Sequence, residues 1–257
     1  MMNNIELEQI LNQKLNSNAI NDYAPNGLQV EGKVNIKKII TGVTATQALI
    51  DAAVAKNADA ILVHHGYFWK NENPCIRGMK GKRIKTLLVN DINLYGYHLP
   101  LDVHPELGNN AELARLLGIE NLQPLESSPN SIPMWGELAE SISIQDFAAR
   151  IEQVLNRKPT VCNAEELSQN RPHLIRKVGI CTGGGQDYID LAAQMGCDAF
   201  ISGEISEQTT HSAREQGIHY FACGHHATER YGIKALGEWL AKVYDFDVEF
   251  VDIDNPA

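Results

Sequence analysis

Two stretches, Lys38-Ile-Ile-Thr-Gly-Val-Thr44 and Asp59-Ala-Ile-Leu-Val-His-His65, are apolar on both faces that a β-strand would present. Such strands suit a sheet covered on both sides, the parallel sheet of α/β proteins. Between them Gln47 to Lys56 carries Ala48, Leu49, Ala52 and Ala53 on one helical face. Strand, helix and strand in succession read as a βαβ unit, and they make α/β the expected fold class.

The same pattern extends along the chain. Ile5, Leu7, Ile10, Leu11 and Leu15 mark an amphipathic helix, and Asp22-Tyr-Ala-Pro-Asn-Gly27 is loop punctuation before the short apolar run Leu28 to Val30. Residues 66 to 76 read as a loop. Lys80 to Val89 reads as a helix, Ile92 to Tyr97 as a strand, and Asn110 as the cap of a helix ending at Gly118. Residues 120 to 133 lack periodicity and contain three prolines, so a domain boundary is expected there. Beyond it Ser143 and Asp146 start a helix bearing Ile144, Phe147, Ile151 and Val154. Lys177 to Thr182, Asp198 to Ser202 and Ile218 to Cys223 read as strands. Asp187 to Met195 and Ala227 to Val243 read as helices, and Val248 to Ile253 as an edge strand.

The two halves echo each other. Gln47, Asp51, Ala53, Asp59 and Ala60 align with Gln186, Asp190, Ala192, Asp198 and Ala199, each pair 139 positions apart. His98-x-x-x-Asp102 aligns with His225-x-x-x-Glu229 at a spacing of 127, as a deletion in the second copy would produce. The reading is two similar α/β halves in a pseudo-repeat, residues 1–125 and 126–257, with mixed sheets flanked by helices and a metal site between the halves. Chance likeness of two βαβ units is the alternative.

Composition narrows the function. A formal charge of −10 opposes strong bulk nucleic-acid binding, although a bound cation can reverse the local sign for a nucleotide. The five cysteines form no Cys-x-x-Cys; Cys75 and Cys162 read as near the surface, and Cys181, Cys197 and Cys223 as buried. The N-terminal stretch is interrupted by Glu6, Glu8 and Lys14, and no run is long and apolar enough for a membrane span, so a cytoplasmic protein without a membrane partner is expected.

The candidate chemistry gathers at strand ends. His225 and Glu229, four apart where a helix opens after Gly224, offer imidazole and carboxylate on one side, a good metal half-site or an ordinary helix start. His64 and His65 end a buried strand at the sheet edge where α/β ligands bind. Strand alternation sends them to opposite faces, so they cannot simply chelate one ion from a regular strand; if the strand breaks at Gly66, each can address a different ion, and otherwise one is a core and the other a surface histidine. Asp102 follows a strand end, as a ligand or as an N-cap for the Pro105 region, and His104 reads as surface. His98 is a candidate ligand, a hydrogen-bond donor to a ligand or a proton shuttle, and Glu204 a proton carrier or a structural strand-end carboxylate. Gly183-Gly-Gly185 and the cations Arg77, Lys80, Lys82, Arg83 and Lys85 offer phosphate grips, or else a tight turn and a solvated helix face. Tyr67-Phe-Trp-Lys70 suits base stacking or, preferably, a subunit contact.

At Asn26-Gly-Leu-Gln-Val30, Val63-His-His-Gly66, His98-x-x-x-Asp102, Ser202-Gly-Glu204 and Gly224-His-His-Ala-Thr-Glu229, the chain resembles the YbgI, or GTP cyclohydrolase 1 type 2, family of Nif-three-like dinuclear metal proteins. The resemblance implies a toroidal homohexamer. It implies two divalent metal ions per subunit held by His64, His65, Asp102, His225 and Glu229, with Glu229 bridging. It also implies a metal-dependent hydrolase of a small, nucleotide-like substrate such as GTP; in such a reaction His98 or Glu204 is the candidate to move the protons. Nitrogen and oxygen donors without thiolate allow Fe, Zn, Mn, Ni or Co. The alternative is a non-catalytic oligomeric protein that binds metal and a partner.

Overall fold

The computed structural model describes residues 1–128, 130–164 and 174–257. They form two compact units, Met1–Leu107 with Gly232–Asp254 and Gly108–Tyr231 with Asn255–Ala257.

The first unit opens with β1 (Met2–Asn3), α1 (Asn4–Leu15), β2 (Gly27–Val30) and β3 (Asn35–Ile36). It continues through β4 (Lys38–Thr44), α2 (Gln47–Ala55), β5 (Ala60–His65), α3 (Gly78–Val89), β6 (Asn93–Gly96) and α4 (Leu99–Asp102). The second unit holds α5 (Asn109–Leu117), β7 (Ile119–Pro124), β8 (Met134–Ile142), α6 (Ile144–Leu155) and β9 (Thr160–Cys162). After these come β10 (Ile175–Cys181), α7 (Ile189–Gln194), β11 (Ala199–Ser202), α8 (Glu207–Gln216), β12 (His219–Ala222) and α9 (His225–Thr228). From Gly232 onward, α10 (Arg230–Tyr244) and β13 (Asp247–Phe250) belong to the first unit.

In the first unit the sheet order is β13-β4-β5-β6-β2, parallel except for β2. Alternation along the strands explains its two cores. Ile39, Ala60 and Leu62 meet Leu7 and Leu11 of α1 and Ile233, Leu236 and Leu240 of α10. Ile40, Ile61 and Val63 meet Leu49 and Ala53 of α2 and Ile84 and Leu87 of α3. Burying each such aliphatic side chain contributes about 1.5–3 kcal/mol, enough to fix the strand register.

In the second unit the order is β7-β8-β10-β11-β12-β9, with β10, β11 and β12 parallel and the outer strands antiparallel. Leu113, Leu117, Phe147 and Ile151 cover Val178, Ile180 and Ile201 on one face. Ile189, Ala192 and Ala213 cover Phe200 and Tyr220 on the other.

A local device recurs in both units. Asp59 Oδ2 accepts from the backbone N–H groups of Lys37 and Lys38, each at 2.9 Å. Asp198 Oδ2 accepts from those of Arg176 and Lys177 at 3.0 and 2.8 Å. Each aspartate thus ties the start of one parallel strand to the start of its neighbour. The third strands correspond less simply than the motif spacing suggested. Ala60 pairs with Asn93 and Ala199 with His219, which makes Gly224, not His225, the register equivalent of His98.

Three expectations change. Residues 120–133 contain the end of β7 rather than only a linker, because β7 joins the sheet through β8. The unit boundary falls at Gly108, and the chain from Gly232 returns to the first unit because β13 pairs in parallel with β4. Cys162 is buried, since β9 lies against β12, whereas Cys75 is exposed and Cys181, Cys197 and Cys223 are buried.

Candidate functional site

In the first unit, β5 carries His64 and His65 past its last pairing with β6, Val63 to Gly96. Both lie within β5, whose pairing with β4 runs to His65, and their ring centroids stand 4.5 Å apart. The turn that follows is shaped by Gln29. Its Oε1 accepts from the Tyr67 N–H at 2.7 Å and its Nε2 donates to the Pro25 carbonyl at 2.7 Å. A Cβ at Gly66 or Gly96 would lie 2.1 or 2.6 Å from this amide, so both glycines are needed for it to fit.

Each imidazole has its Nδ1 engaged. His64 Nδ1 donates to the Tyr97 carbonyl at 3.0 Å, and its Nε2 lies 3.5 Å from Asp102 Oδ1. His65 Nδ1 lies 3.2 Å from the Thr44 hydroxyl. His98 Nδ1 lies 2.9 Å from Asp22 Oδ1, while the His98 N–H donates to Asn26 Oδ1 at 2.8 Å and the Leu99 N–H to Asp22 Oδ2 at 2.9 Å. Burial works against the Asp22 carboxylate, but the bonds from His98, Asn26 and Leu99 outweigh it and hold its pKa at about 2. One ring nitrogen from each of His64, His65 and His98 falls within 4.8 Å of the others. Tyr23 and Trp69 meet the His98 ring edge to face, with centroids 5.0 and 4.9 Å away.

Asp102 is the buried last residue of α4 rather than a cap. His104, expected at the surface, is buried. Its Nδ1 accepts from the N–H groups of Glu106 and Leu107, a role that a neutral ring fills and that burial favours by lowering its pKa.

In the second unit, Gly224 turns the chain out of β12 at φ +94°, with the Arg157 guanidinium 2.7 Å from where a Cβ would be. The long helix expected from Ala227 is interrupted at Glu229, which has φ −107° and ψ 6° and separates α9 from α10. His225 Nε2 is 3.3 Å from Glu229 Oε1, and His225 Nδ1 is 2.7 Å from Glu204 Oε1. Burial disfavours the charged imidazole, but the Glu229 and Glu204 carboxylates outweigh that cost and raise its pKa to about 9. The protonated ring therefore places an Nε2–H between itself and Glu229.

Gly183 explains the triple-glycine turn. At φ +64°, its missing Cβ would lie 2.1 Å from Glu229 Oε1 and 3.0 Å from His225 Nε2. Its N–H donates to Thr228 Oγ1 at 3.0 Å, tying the turn to α9. The turn thus serves the His225–Glu229 pair. Among the expected cations, Lys80 is engaged by Glu72 at 3.1 Å and by the Phe68 ring at 4.7 Å.

The two pairs fit the geometry of a metal shell. Ligand bonds of about 2.1 Å at tetrahedral angles separate neighbouring donors by roughly 3.4 Å. The observed separations are 3.5 Å for His64 with Asp102 and 3.3 Å for His225 with Glu229. Asp22 and Thr44, which orient two of the imidazoles, had read as turn and strand residues. Their signal was a hydrogen-bonding side chain at a loop or strand end close to a histidine strand end.

An α/β chain with imidazoles and carboxylates grouped at strand ends falls in the class of proteins with candidate metal-binding clusters. The chain belongs to the Duf34/NIF3 (NGG1p interacting factor 3) family, whose sequence model matches residues 2–256. A Haemophilus influenzae protein named GTP cyclohydrolase 1 type 2 homolog is 77% identical over 256 residues, covering 100% of both chains. The Escherichia coli K12 protein of the same name is 60% identical over 256 residues, again covering 100% of both. A solved structure of a protein called ybgI, described as of unknown function, superposes with a TM-score of 0.94 at 60% identity over 100% of both chains. No helix among the described residues is long and apolar enough to cross a membrane.

Proposed function

We propose that His64, His65, Asp102, His225 and Glu229 hold two divalent cations, and that the loaded protein hydrolyses a nucleotide-like small molecule. The observation that carries this reading is the pair of imidazole–carboxylate separations of 3.5 and 3.3 Å, each spanning one edge of a coordination shell. The donor set fits: nitrogen and oxygen with no thiolate suits Fe, Zn, Mn, Ni or Co. The relatives named GTP cyclohydrolase 1 type 2 homolog support a GTP-like substrate.

Bound cations would lower the pKa of water and polarise an electrophilic carbon. The chain's own residues supply the rest. Tyr97 and Thr44 orient His64 and His65, and Glu204 orients His225 through Nδ1. Asp22 holds His98 with its Nε2 available to take or give a proton, and Glu204 is the second proton carrier.

The second reading, a non-catalytic oligomer that binds metal and a partner, is favoured by one observation. Ile76, Met79, Leu88 and Val89, in and just before α3, are 57%, 69%, 54% and 70% exposed, as an uncovered subunit contact would be. The same patch supports self-association; a toroidal homohexamer is the form that the family resemblance implies.

Metal analysis of the purified wild type, His64→Ala and Glu229→Ala, together with a nucleotide and phosphoester turnover screen, tests the proposal. Two equivalents of metal in the wild type, reduced in both variants, with turnover of a nucleotide, is the expected result. A wild type that takes up no divalent cation overturns the metal reading. A metal-loaded protein that turns over nothing overturns the hydrolase reading.

A further inference from the structure

We propose that Arg157 anchors a phosphoryl group of the substrate: its guanidinium, laid over Gly224 where the chain turns towards His225, holds a phosphate oxyanion. The inference rests on the reading that a nucleotide-like small molecule reacts at this site. It adds which part of that molecule the second unit grips, and with which residue.

Arg157 sits in the short connection 156–159 between α6 and β9. Both ends of that connection are fixed. At the near end, Arg230 Nη2 donates to the Leu155 carbonyl at 2.5 Å and the Tyr231 hydroxyl to the Val154 carbonyl at 2.6 Å, so the close of α6 is tied to the two residues that follow Glu229. At the far end, Thr160 pairs with Ala222 of β12, two residues before Gly224. A connection this short, held at both ends, gives its side chain a preorganised place.

The side chain lies against the turn out of β12. Arg157 Nε, Cζ and Cδ stand 2.7, 2.9 and 3.0 Å from where a Cβ of Gly224 would be, so the glycine leaves the room they occupy. The next residue is His225, whose Nδ1 is 2.7 Å from Glu204 Oε1.

What the guanidinium lacks is an acceptor. It is half-buried, yet among the described residues no carboxylate, carbonyl or hydroxyl takes a hydrogen bond or ion pair from it. Glu204, the exposed carboxylate of the cluster, is engaged by His225 instead. A charge partly withdrawn from water is costly without a partner. Packing on Gly224 calls for the aliphatic stem and not for the charge. The planar fork of donors matches the oxygens of a phosphate, and such charge-assisted bonds are among the strongest a side chain makes.

The test is equilibrium binding to the full chain kept metal-free with a chelator, because bound cations would themselves ligate phosphate. The probes are GTP, inorganic tripolyphosphate and guanosine, read by calorimetry. GTP and tripolyphosphate are expected to bind, and guanosine to bind roughly 10-fold or more weakly than GTP. Arg157→Gln removes the charge and keeps an unbranched polar side chain. It is expected to weaken both phosphate probes by about 10- to 100-fold and to leave guanosine unchanged. Arg157→Lys is expected to recover only part of the loss, since an ammonium cannot reproduce the fork. Lys158→Gln removes an exposed cation from the same connection and is expected to bind all three probes as the wild type does. The comparison of guanosine with GTP uses the wild type alone, so it stands even if Arg157→Gln fails to fold. Tripolyphosphate bound as tightly by Arg157→Gln as by the wild type overturns the inference. So does an equal loss in Lys158→Gln, guanosine bound as tightly as GTP, or a metal-free wild type that binds neither phosphate probe. Each of these leaves the metal content and the turnover screen untouched, so the proposed function fails or stands separately.

Discussion

Gly183→Ala isolates the second half-site. A Cβ at this position would stand 2.1 Å from Glu229 Oε1, whereas real Cβ contacts do not come closer than 3.0 Å, so the carboxylate must retreat by at least 3.0 − 2.1 = 0.9 Å. The same Cβ would sit 3.0 Å from His225 Nε2, at the edge of what a side chain tolerates. A left-handed alanine adds about 1–2 kcal/mol of backbone cost, which corresponds to a melting temperature roughly 2–8 °C lower. A ligand moved by almost an ångström loses at least the ~10- to 100-fold in affinity that altered outer-shell partners cost. The assay is metal titration monitored calorimetrically, paired with a thermal melt. Gly184→Ala is the control, because its Cβ would meet Glu204 and His225 at 3.7 and 3.8 Å, ordinary contact distances. Metal binding by Gly183→Ala equal to the wild type in stoichiometry and affinity would refute the assignment of this turn to the His225–Glu229 pair.

Metal uptake below pH 9 is expected to release close to one proton from His225, read as a buffer-dependent binding enthalpy, and affinity is expected to rise with pH up to about 9. In the metal-free protein the same group has its folded pKa above 6.5, so its stabilisation is complete below pH 6.5 and is lost as pH rises through about 9; melting curves of wild type and His225→Ala are expected to converge over that interval. Asp22 has the opposite sign: its contribution is complete above pH 3.8 and is lost as pH falls towards 2, so Asp22→Asn is expected to flatten the acid limb of a pH-dependent melt. Gln29→Ala leaves the Tyr67 N–H without its acceptor and opens space over Gly66 and Gly96; a loss of about 1–3 kcal/mol in denaturant unfolding is expected, with faster amide exchange at Tyr67.

Much of this was legible in the residues. Lys38–Thr44 and Ala60–His65 are apolar on both faces because helices cover both sides of their sheet, so their strand character needed no tertiary knowledge. His64, His65 and Asp102 stood out as candidates because polar groups at the end of a buried run need partners. What stayed hidden depends on long-range contact. Asp22 looks like any turn aspartate until β6 brings His98 to it, 76 positions later. Gly183 looks like a flexible turn until Glu229, 46 positions on, occupies the space of its absent side chain. The break at Glu229 is invisible to helix periodicity, since Ala227, Thr228 and Glu229 fit a continuous helix as well as an interrupted one. Nor does the apolar pattern of Val248 to Phe250 say which sheet receives it; its parallel pairing with β4 does.

Anomalous diffraction at the zinc edge, from crystals of the zinc-loaded wild type, tests the central claim most directly. The account predicts one peak about 2.1 Å from His64 Nε2 and Asp102 and another about 2.1 Å from His225 Nε2 and Glu229. Zinc bound only at other residues, with no density beside either imidazole–carboxylate pair, would contradict it.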